Sequence, residues 1–382
     1  MKDVSVIIVS YNVRYYLEQC LLSVFAARQA LDIEVFVVDN NSPDGSVDYL
    51  RPRFPEVHFI ANAENAGFSK ANNQAIRQAQ GRYILLLNPD TIITERTLTD
   101  CVHYLDQHPE AGATGASMYG SNGRFAWESR RGIPTPWTSF CKMVGLCALF
   151  PHSRLFGRYY MRYLDRTEPN YIEVISGAFN MLRREALEQV GLLDETFFMY
   201  GEDIDLSYRL LQGGWKNAYV PTPILHYKGE STQKSSFRYV HVFYDAMLIF
   251  YDKHFRHRYR LLTSFIRMAV YLRAGIDMLK RFCQGILSHL PHRKPLPEQA
   301  LCIGSPAALT QMQEICERNG LTFQKEPTPG SNPLYIVYDL SSYTYGELIS
   351  QLIEDAGQGA KASLGTYNPR TGIMILPNDI YL

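Results

Sequence analysis

The sequence predicts an α/β fold: a mostly parallel sheet flanked by helices, followed by amphipathic helices and a small βαβαβ domain. Three observations carry that expectation. Apolar runs of strand length alternate with helix-like stretches through residues 1–90, acids stand at the ends of two of those runs, and the alternation resumes after a Pro-punctuated linker, 291–297.

Residues 4–9 (VSVIIV) read as a buried strand, 14–28 as an amphipathic helix, and 33–38 (IEVFVV) as a second strand ending on Asp39. Asn40 to Gly45 form a turn-rich loop before a short helix. A third strand covers 57–60, a helix 66–79, and a fourth strand 83–87 (YILLL), which runs into Asn88-Pro89-Asp90. Ligands of such sheets bind beyond the carboxyl ends of the strands, where Asp39 and Asp90 fall. Residues 121–172, rich in aromatics, Arg and Pro, read as an insertion over the sheet edge.

Regular structure returns with strands at 171–175 and 179–182, a short helix from Arg184, a helix from about Asp203 to Gln212 and a strand at 223–225. Apolar side chains at Tyr239, Val242, Phe243, Ala246, Ile249 and Phe250 have helical spacing, and another helical stretch covers 259–287. In the tail, strands at 300–303, 334–338 and 373–376 alternate with helices at 306–319 and 344–356. The expected units are 1–237, a basic helical region 238–290, and 298–382. Gly304-Ser305 is a weak phosphate-loop cue without the full glycine pattern.

Composition is that of a folded globular chain of 382 residues, with 46% hydrophobic and 20% charged side chains. Lys+Arg and Asp+Glu both number 38, but the balance is local: residues 253–294 hold ten Lys/Arg against one acid, Asp277. Leu262, Phe265, Ile266, Leu272, Ile276, Leu279 and Phe282 interleave with those charges, a pattern suited to an anionic membrane surface as well as to a solvated basic face. No nucleic-acid recognition motif accompanies it. The seven cysteines are scattered and never spaced as CxxC, which favours free thiols in a reducing compartment. With no leader-like start and no apolar run of spanning length, cytoplasmic residence, peripheral to the inner membrane, is the expectation.

Several residues stand out for chemistry. Asp90, at the exit of an apolar strand with Asn88 as neighbour, is placed either to bind a divalent cation or to cap a helix after Thr91. Glu202, Asp203 and Asp205 put three acids around one apolar residue, more than a helix cap requires, so one of them suits a general base. At helical spacing Glu202 and Asp205 share a face and Asp203 points elsewhere. His226 ends a strand ahead of a Lys/Gly loop; it fits a metal shell beside Asp90, with Lys228 turned to phosphate, or a structural role. Asp39 is a candidate acceptor for a pyrimidine base or an Asx-turn residue. Asn65 opens a helix whose following glycine permits close backbone approach to a ligand.

Taken in order, the stretches VSVIIVSYN (4–12), VVDNNSPDGS (37–46), NAENAGFSKANNQAI (62–76), YILLLNPDT (83–91), 175–215 and LHYKGEST (225–232) resemble family 2 glycosyltransferases of the GT-A fold, in particular the rhamnosyltransferase-like subgroup. The resemblance spans about residues 1–255 and leaves 298–382 uncovered. It implies an inverting, metal-dependent transfer of a sugar, rhamnose favoured, from a nucleotide diphosphate to a hydroxyl of a glycan or lipid-linked acceptor. By the same resemblance Tyr11 and Asp39 contact the nucleobase, and Asn65 and Lys70 lie near the nucleoside or phosphates. Asp90 matches the last acid of the family's metal motif, with Asn88 where many members have an acid. Asp203 matches the general base, beside Glu202, and His226 completes the Mg²⁺ or Mn²⁺ site. The alternative is a non-catalytic nucleotide-sugar-binding or scaffold subunit of a polysaccharide assembly complex.

Overall fold

The computed structural model describes residues 2–29, 31–228, 237–256, 268, 271, 275, 298–326, 333–377 and 379–382. Most of the 259–287 stretch, all its interleaved apolar residues and the 291–297 linker lie outside the described residues.

The first sheet contains β1 (Val4–Ser10), β2 (Ile33–Asp39), β3 (Val57–Ala61), β4 (Tyr83–Leu87), β5 (Thr91–Ile93), β6 (Ala111–Tyr119), β7 (Asn170–Ile172), β8 (Phe179–Arg183) and β9 (Lys216–His226). Its helices are α1 (Arg14–Ala26), α2 (Ser46–Leu50), α3 (Phe68–Ile76), α4 (Thr97–Gln107), α5 (Pro136–Met143), α6 (Leu146–Leu149), α7 (Arg184–Val190), α8 (Glu202–Gln212) and α9 (Phe237–His254). The strand order is β3-β2-β1-β4-β8-β6-β9-β5, with β7 also on β9.

The expected parallel sheet is present from β3 to β4. Beyond β4 the sheet is mixed, because β8 runs antiparallel to both β4 and β6, and β5 and β7 run antiparallel to β9. Burial on both faces explains the unbroken apolar run of β1: Val4, Val6 and Ile8 enter one core cluster, while Ile7 and Val9 enter the other.

The C-terminal sheet is richer in strands than the expected βαβαβ unit. It holds β10 (Gln299–Ile303), β11 (Thr322–Gln324), β12 (Tyr335–Asp339), β13 (Ser363–Asn368), β14 (Ile373–Leu376) and β15 (Asp379–Tyr381), with α10 (Pro306–Arg318) and α11 (Tyr345–Gly357). The parallel neighbour of β12 is β13, while 373–376 returns as an antiparallel hairpin strand. The Gly304-Ser305 loop is occupied by protein: Asp339 accepts from Ser305 N at 3.2 Å and Ser305 Oγ at 3.0 Å. A carboxylate held there opposes a phosphate.

This second sheet is not detached from the first. Val13, Tyr16, Ile92, Leu225 and Tyr227 share one buried cluster with Leu301, Ile336, Leu348, Leu364 and Ile375. Polar ties reinforce it: Tyr16 Oη donates to Leu376 O at 2.9 Å, and Tyr345 N and Gly346 N, opening α11, donate to the Glu95 carboxylate at 2.8 and 3.0 Å. Six buried cysteines are free thiols among the described residues, as expected. No helix among the described residues is long and apolar enough to cross a membrane.

Candidate active site

The site is built where β4 and β9 end and β8 begins. Asp90 is followed by a strand, β5, so no helix follows Thr91 for it to cap. Antiparallel pairing places Thr91 opposite His226. This register brings His226 Nε2 to 3.2 Å from Asp90 Oδ1 and 3.4 Å from Asn88 Nδ2. Tyr227 N closes the turn by donating to Asp90 O at 3.0 Å.

The set fits a small divalent cation. Two cis ligands of an octahedral ion with bonds near 2.1 Å lie about 3 Å apart, close to the Asp90–His226 separation. Asn88 adds an amide, and turning that amide presents its oxygen instead of its nitrogen. Among the described residues no cluster of three or more His, Cys, Asp or Glu side chains is assembled to hold a metal. A magnesium-like ion takes one or two protein ligands and fills its remaining positions with phosphate oxygens and water.

The acids of α8 reach the same place from the other side. Asn88 N donates to Ala178 O at 3.0 Å, and the adjacent Gly177 N donates to Asp203 Oδ2 at 3.2 Å. A backbone of two residues therefore separates the Asn88–Asp90–His226 group from the Asp203 carboxylate. A Cβ on Gly177 would stand 3.6 Å from Glu202 Oε1 and 3.8 Å from Asp203 Oδ2, so this glycine faces both acids. Glu202 is buried, and its Oε2 has no hydrogen-bond partner among the described residues. Burial, and secondarily the charge of Asp203, push its carboxyl well above the usual carboxylate range.

The third acid is structural. Asp205 is fully buried and paired with Arg209 at 2.8 Å, Lys253 at 2.8 Å and His254 at 2.7 Å. Burial alone would raise its pKa; hydrogen bonds from His254 and Lys253 and the charge of Arg209 outweigh burial and hold it at about 2. The trio of acids thus divides: Asp205 anchors α9, and Glu202 and Asp203 face the site.

The insertion supplies residues that sequence reasoning missed. Arg131 makes an ion pair with Asp203, and Glu128 makes one with Lys228. Lys228, expected at a phosphate, is thus engaged by a carboxylate, and would meet a diphosphate by exchanging one anion for another. The only signal for Arg131 was the Arg130-Arg131 pair within an irregular stretch. Its neighbour Arg130 is buried and donates to Leu164 O at 2.9 Å.

At the nucleoside end, Ser10 and Asp39 are register partners at the tips of β1 and β2. Asp39 accepts from Ser42 N at 2.8 Å and Ser42 Oγ at 2.5 Å, forming the local turn that was its alternative reading. Tyr11, which follows Ser10 in sequence, is 40% exposed. Asn65 accepts from Gly67 N at 3.0 Å and shapes the start of α3, on which Lys70 is exposed. Gly67 has φ +81°, and a Cβ there would lie 2.7 Å from Phe198 O, so a glycine is required. The structure brings Asn88, Asp90 and His226 into contact and sets Glu202 and Asp203 against Gly177. Tyr11 follows β1, Asp39 ends β2, Asn65 precedes α3 and Lys70 lies on α3; none of them joins that contact group.

Residues 5–191 of the chain match glycosyl transferase family 2. The chain is a glycosyltransferase of GT-A type, related to rhamnosyltransferase-like enzymes. Among curated relatives, the N-acetylglucosaminyl-diphospho-decaprenol L-rhamnosyltransferase of Mycobacterium tuberculosis is 29% identical over 268 residues, spanning 66% of this chain and 86% of that protein. A low-salt glycan biosynthesis hexosyltransferase of Haloferax volcanii is 25% identical over 213 residues, 55% of this chain and 62% of that one. Among solved structures, the Pyrobaculum calidifontis mannosyltransferase in complex with GDP-Man and Mn2+ superposes with a TM-score of 0.46 at 18% identity, covering 67% of this chain and 66% of that chain.

Proposed function

We propose that this glycosyltransferase moves a sugar, rhamnose favoured, from a nucleotide diphosphate donor to a hydroxyl of a glycan or lipid-linked acceptor, with inversion, in bacterial cell-surface polysaccharide synthesis. The observation that carries the reading is the placement of Asp203 and Glu202 across Gly177-Ala178 from the Asn88–Asp90–His226 group. The name of the mycobacterial relative supports the rhamnosyl donor and an isoprenoid-diphosphate acceptor.

In this mechanism Asp203 accepts the proton of the acceptor hydroxyl. The acceptor oxygen then bonds to the anomeric carbon as that carbon's bond to the diphosphate oxygen breaks, and the nucleoside diphosphate leaves with the electron pair. Arg131 holds the Asp203 carboxylate in place. Asp90 and His226, with Asn88, would hold Mg²⁺ or Mn²⁺, which when bound neutralises charge developing on the diphosphate. Tyr11 and Asp39 fit the nucleobase end, Asn65 and Lys70 the nucleoside or phosphates, and Lys228 the diphosphate. Residues 1–237 carry the catalytic part, 238–290 a basic region and 298–382 a supporting domain, at the cytoplasmic face of the inner membrane.

The test is a transfer assay with dTDP-rhamnose, UDP- and GDP-sugars against a short-chain polyprenyl-diphospho-N-acetylglucosamine, read by mass spectrometry, with the new anomeric configuration read by NMR. A rhamnosylated, inverted product is expected. No product from any donor would overturn the reading, and a retained configuration would overturn its mechanism.

A further inference from the structure

Seven of the fourteen strongly exposed large apolar side chains among the described residues lie between 137 and 155. Trp137 and Phe140 on α5 and Val144 at its C-cap recur at i, i+3 and i+7 and are 46, 45 and 51% exposed. Leu149, Phe150 and Leu155 follow at 69, 46 and 58%. The rings are joined into one platform: Trp137 to Phe140 at 5.9 Å, Trp137 to Phe156 at 6.2 Å, and Phe150 to Phe156 at 5.5 Å between centroids. Cys141 and Cys147 are buried in the same two helices, so these helices have an inner side of their own. A continuous apolar patch of this kind marks an interaction surface.

Its chemistry selects the occupant. From 129 to 164 the chain contains no Asp or Glu and six Arg or Lys. Of these, Lys142, Arg154 and Arg158 are exposed; Lys142 Nζ sits 3.5 Å over the Tyr159 ring, and Arg158 pairs with Glu173. Projecting aromatic and aliphatic groups beside Lys142 and Arg154, on a segment that carries no acid of its own, suit the headgroup boundary of an anionic bilayer. Trp137 has already satisfied its one donor, since Nε1 bonds Leu155 O at 3.1 Å, so its ring enters an apolar medium without stranding an N–H. The same segment begins at Arg131, the partner of Asp203. Arg131 and Trp137 are six positions apart, at most about 22 Å of extended chain.

We infer that the 136–156 platform is a membrane-contact surface that seats on anionic lipid and brings the bilayer face within reach of Asp203. The inference rests on the proposed function only in its last clause, that a lipid-linked acceptor is delivered there. It assigns the contact to a different segment from the basic stretch 253–294.

The test is co-sedimentation of the full chain with phosphatidylcholine vesicles, with and without phosphatidylglycerol. A Trp137→Ser, Phe140→Ser, Leu149→Ser, Leu155→Ser variant is compared, its fold checked by circular dichroism. Wild type is expected to bind the anionic vesicles in a salt-sensitive way, and the variant at least tenfold more weakly. Transfer to vesicle-embedded acceptor should fall by a similar factor, with transfer to a water-soluble acceptor unchanged. Should the fourfold variant not fold, Trp137→Phe keeps an apolar ring. It should still bind vesicles while losing the blue shift of emission that wild type shows on adding them. Three results would overturn the inference: equal binding by wild type and variant, no binding or emission shift by wild type, or a wild-type dimer that the variant converts to monomer. Absence of sugar transfer under every condition, with vesicle binding intact, would instead remove the proposed function and leave the surface standing.

Discussion

Gln19 and Thr366 share a buried hydrogen bond, Nε2 to Oγ1 at 2.7 Å, across 347 positions of the chain. The other end of the same amide accepts from Tyr227 Oη at 3.2 Å, one residue after His226. One side chain of α1 thus ties the C-terminal sheet to the turn that carries the candidate metal ligand. Thr366→Val keeps the shape and removes the acceptor, stranding a buried N–H at a cost of about 1–3 kcal/mol. Denaturant unfolding should register that loss, and Thr366→Ser should recover most of it.

Asp203→Asn should reduce turnover by about 10²–10⁴ while leaving nucleotide affinity within a few-fold, since the change removes proton acceptance and little volume. Arg131→Met should also lower kcat more than it raises KM, because Arg131 pairs with Asp203, the proposed base. Steady-state kinetics separate the two parameters. A Asp203→Asn enzyme retaining more than a tenth of wild-type turnover would remove Asp203 from the role of base.

A nucleoside diphosphate present at a hundredfold over its Kd stabilises a protein by about 2.7 kcal/mol, and here the gain should need Mn²⁺ or Mg²⁺. Thermal shift with and without EDTA reads that dependence. Asp90→Ala and His226→Ala should each abolish the metal-dependent part. A shift that is the same in EDTA for wild type would contradict the assignment of Asp90 and His226.

Glu202 predicts an alkaline effect on stability. A carboxyl whose folded-state pKa is raised binds its proton more tightly in the folded state. That contribution is complete below the ordinary carboxylate range and is lost as pH rises through the elevated value. Urea midpoints should therefore fall with rising pH in wild type relative to Glu202→Gln, whose amide never ionises. Parallel curves for the two proteins would show that Glu202 ionises at little cost.

Asp205 predicts the opposite sign. Its pKa, held at about 2, contributes stability above the unfolded value of about 3.9 that disappears as pH falls towards 2. Asp205→Asn leaves Lys253, His254 and Arg209 without their buried partner and should cost about 3–5 kcal/mol at neutral pH. The gap between variant and wild type should close on acidification.

Sequence reasoning reached the strands whose side chains are apolar on both faces, β1, β2 and β4, because two core clusters demand unbroken runs there. It missed β6, whose residues AGATGASMY carry little strand propensity. Small size is what that strand needs: a Cβ on Gly115 would fall 2.9 Å from Ile175, and one on Gly112 2.8 Å from Trp215. Only the end of β9 was legible, since Pro221 and Pro223 argue against a strand interior. The β6 partner of Tyr219 is Gly115 and that of Pro223 is Ser117, so a register irregularity absorbs the prolines.

The site divides in the same way. Asp90 and His226 were legible as polar residues at the ends of apolar runs, although only the strand that follows Asp90 removes its reading as a helix cap. Arg131 was not legible, because 72 residues and an irregular insertion separate it from Asp203.

The apolar cluster that joins Val13, Tyr16 and Leu225 to Leu364 and Ile375 also has a consequence for biosynthesis. Helix α1 leaves the ribosome early, but the residues that cover its outer side belong to the stretch 299–382. At roughly 5–20 residues per second, that stretch takes on the order of ten seconds to synthesise. Throughout that interval the nascent chain displays a bare patch around Tyr16 and Leu225, and this is where a chaperone would be expected to hold it.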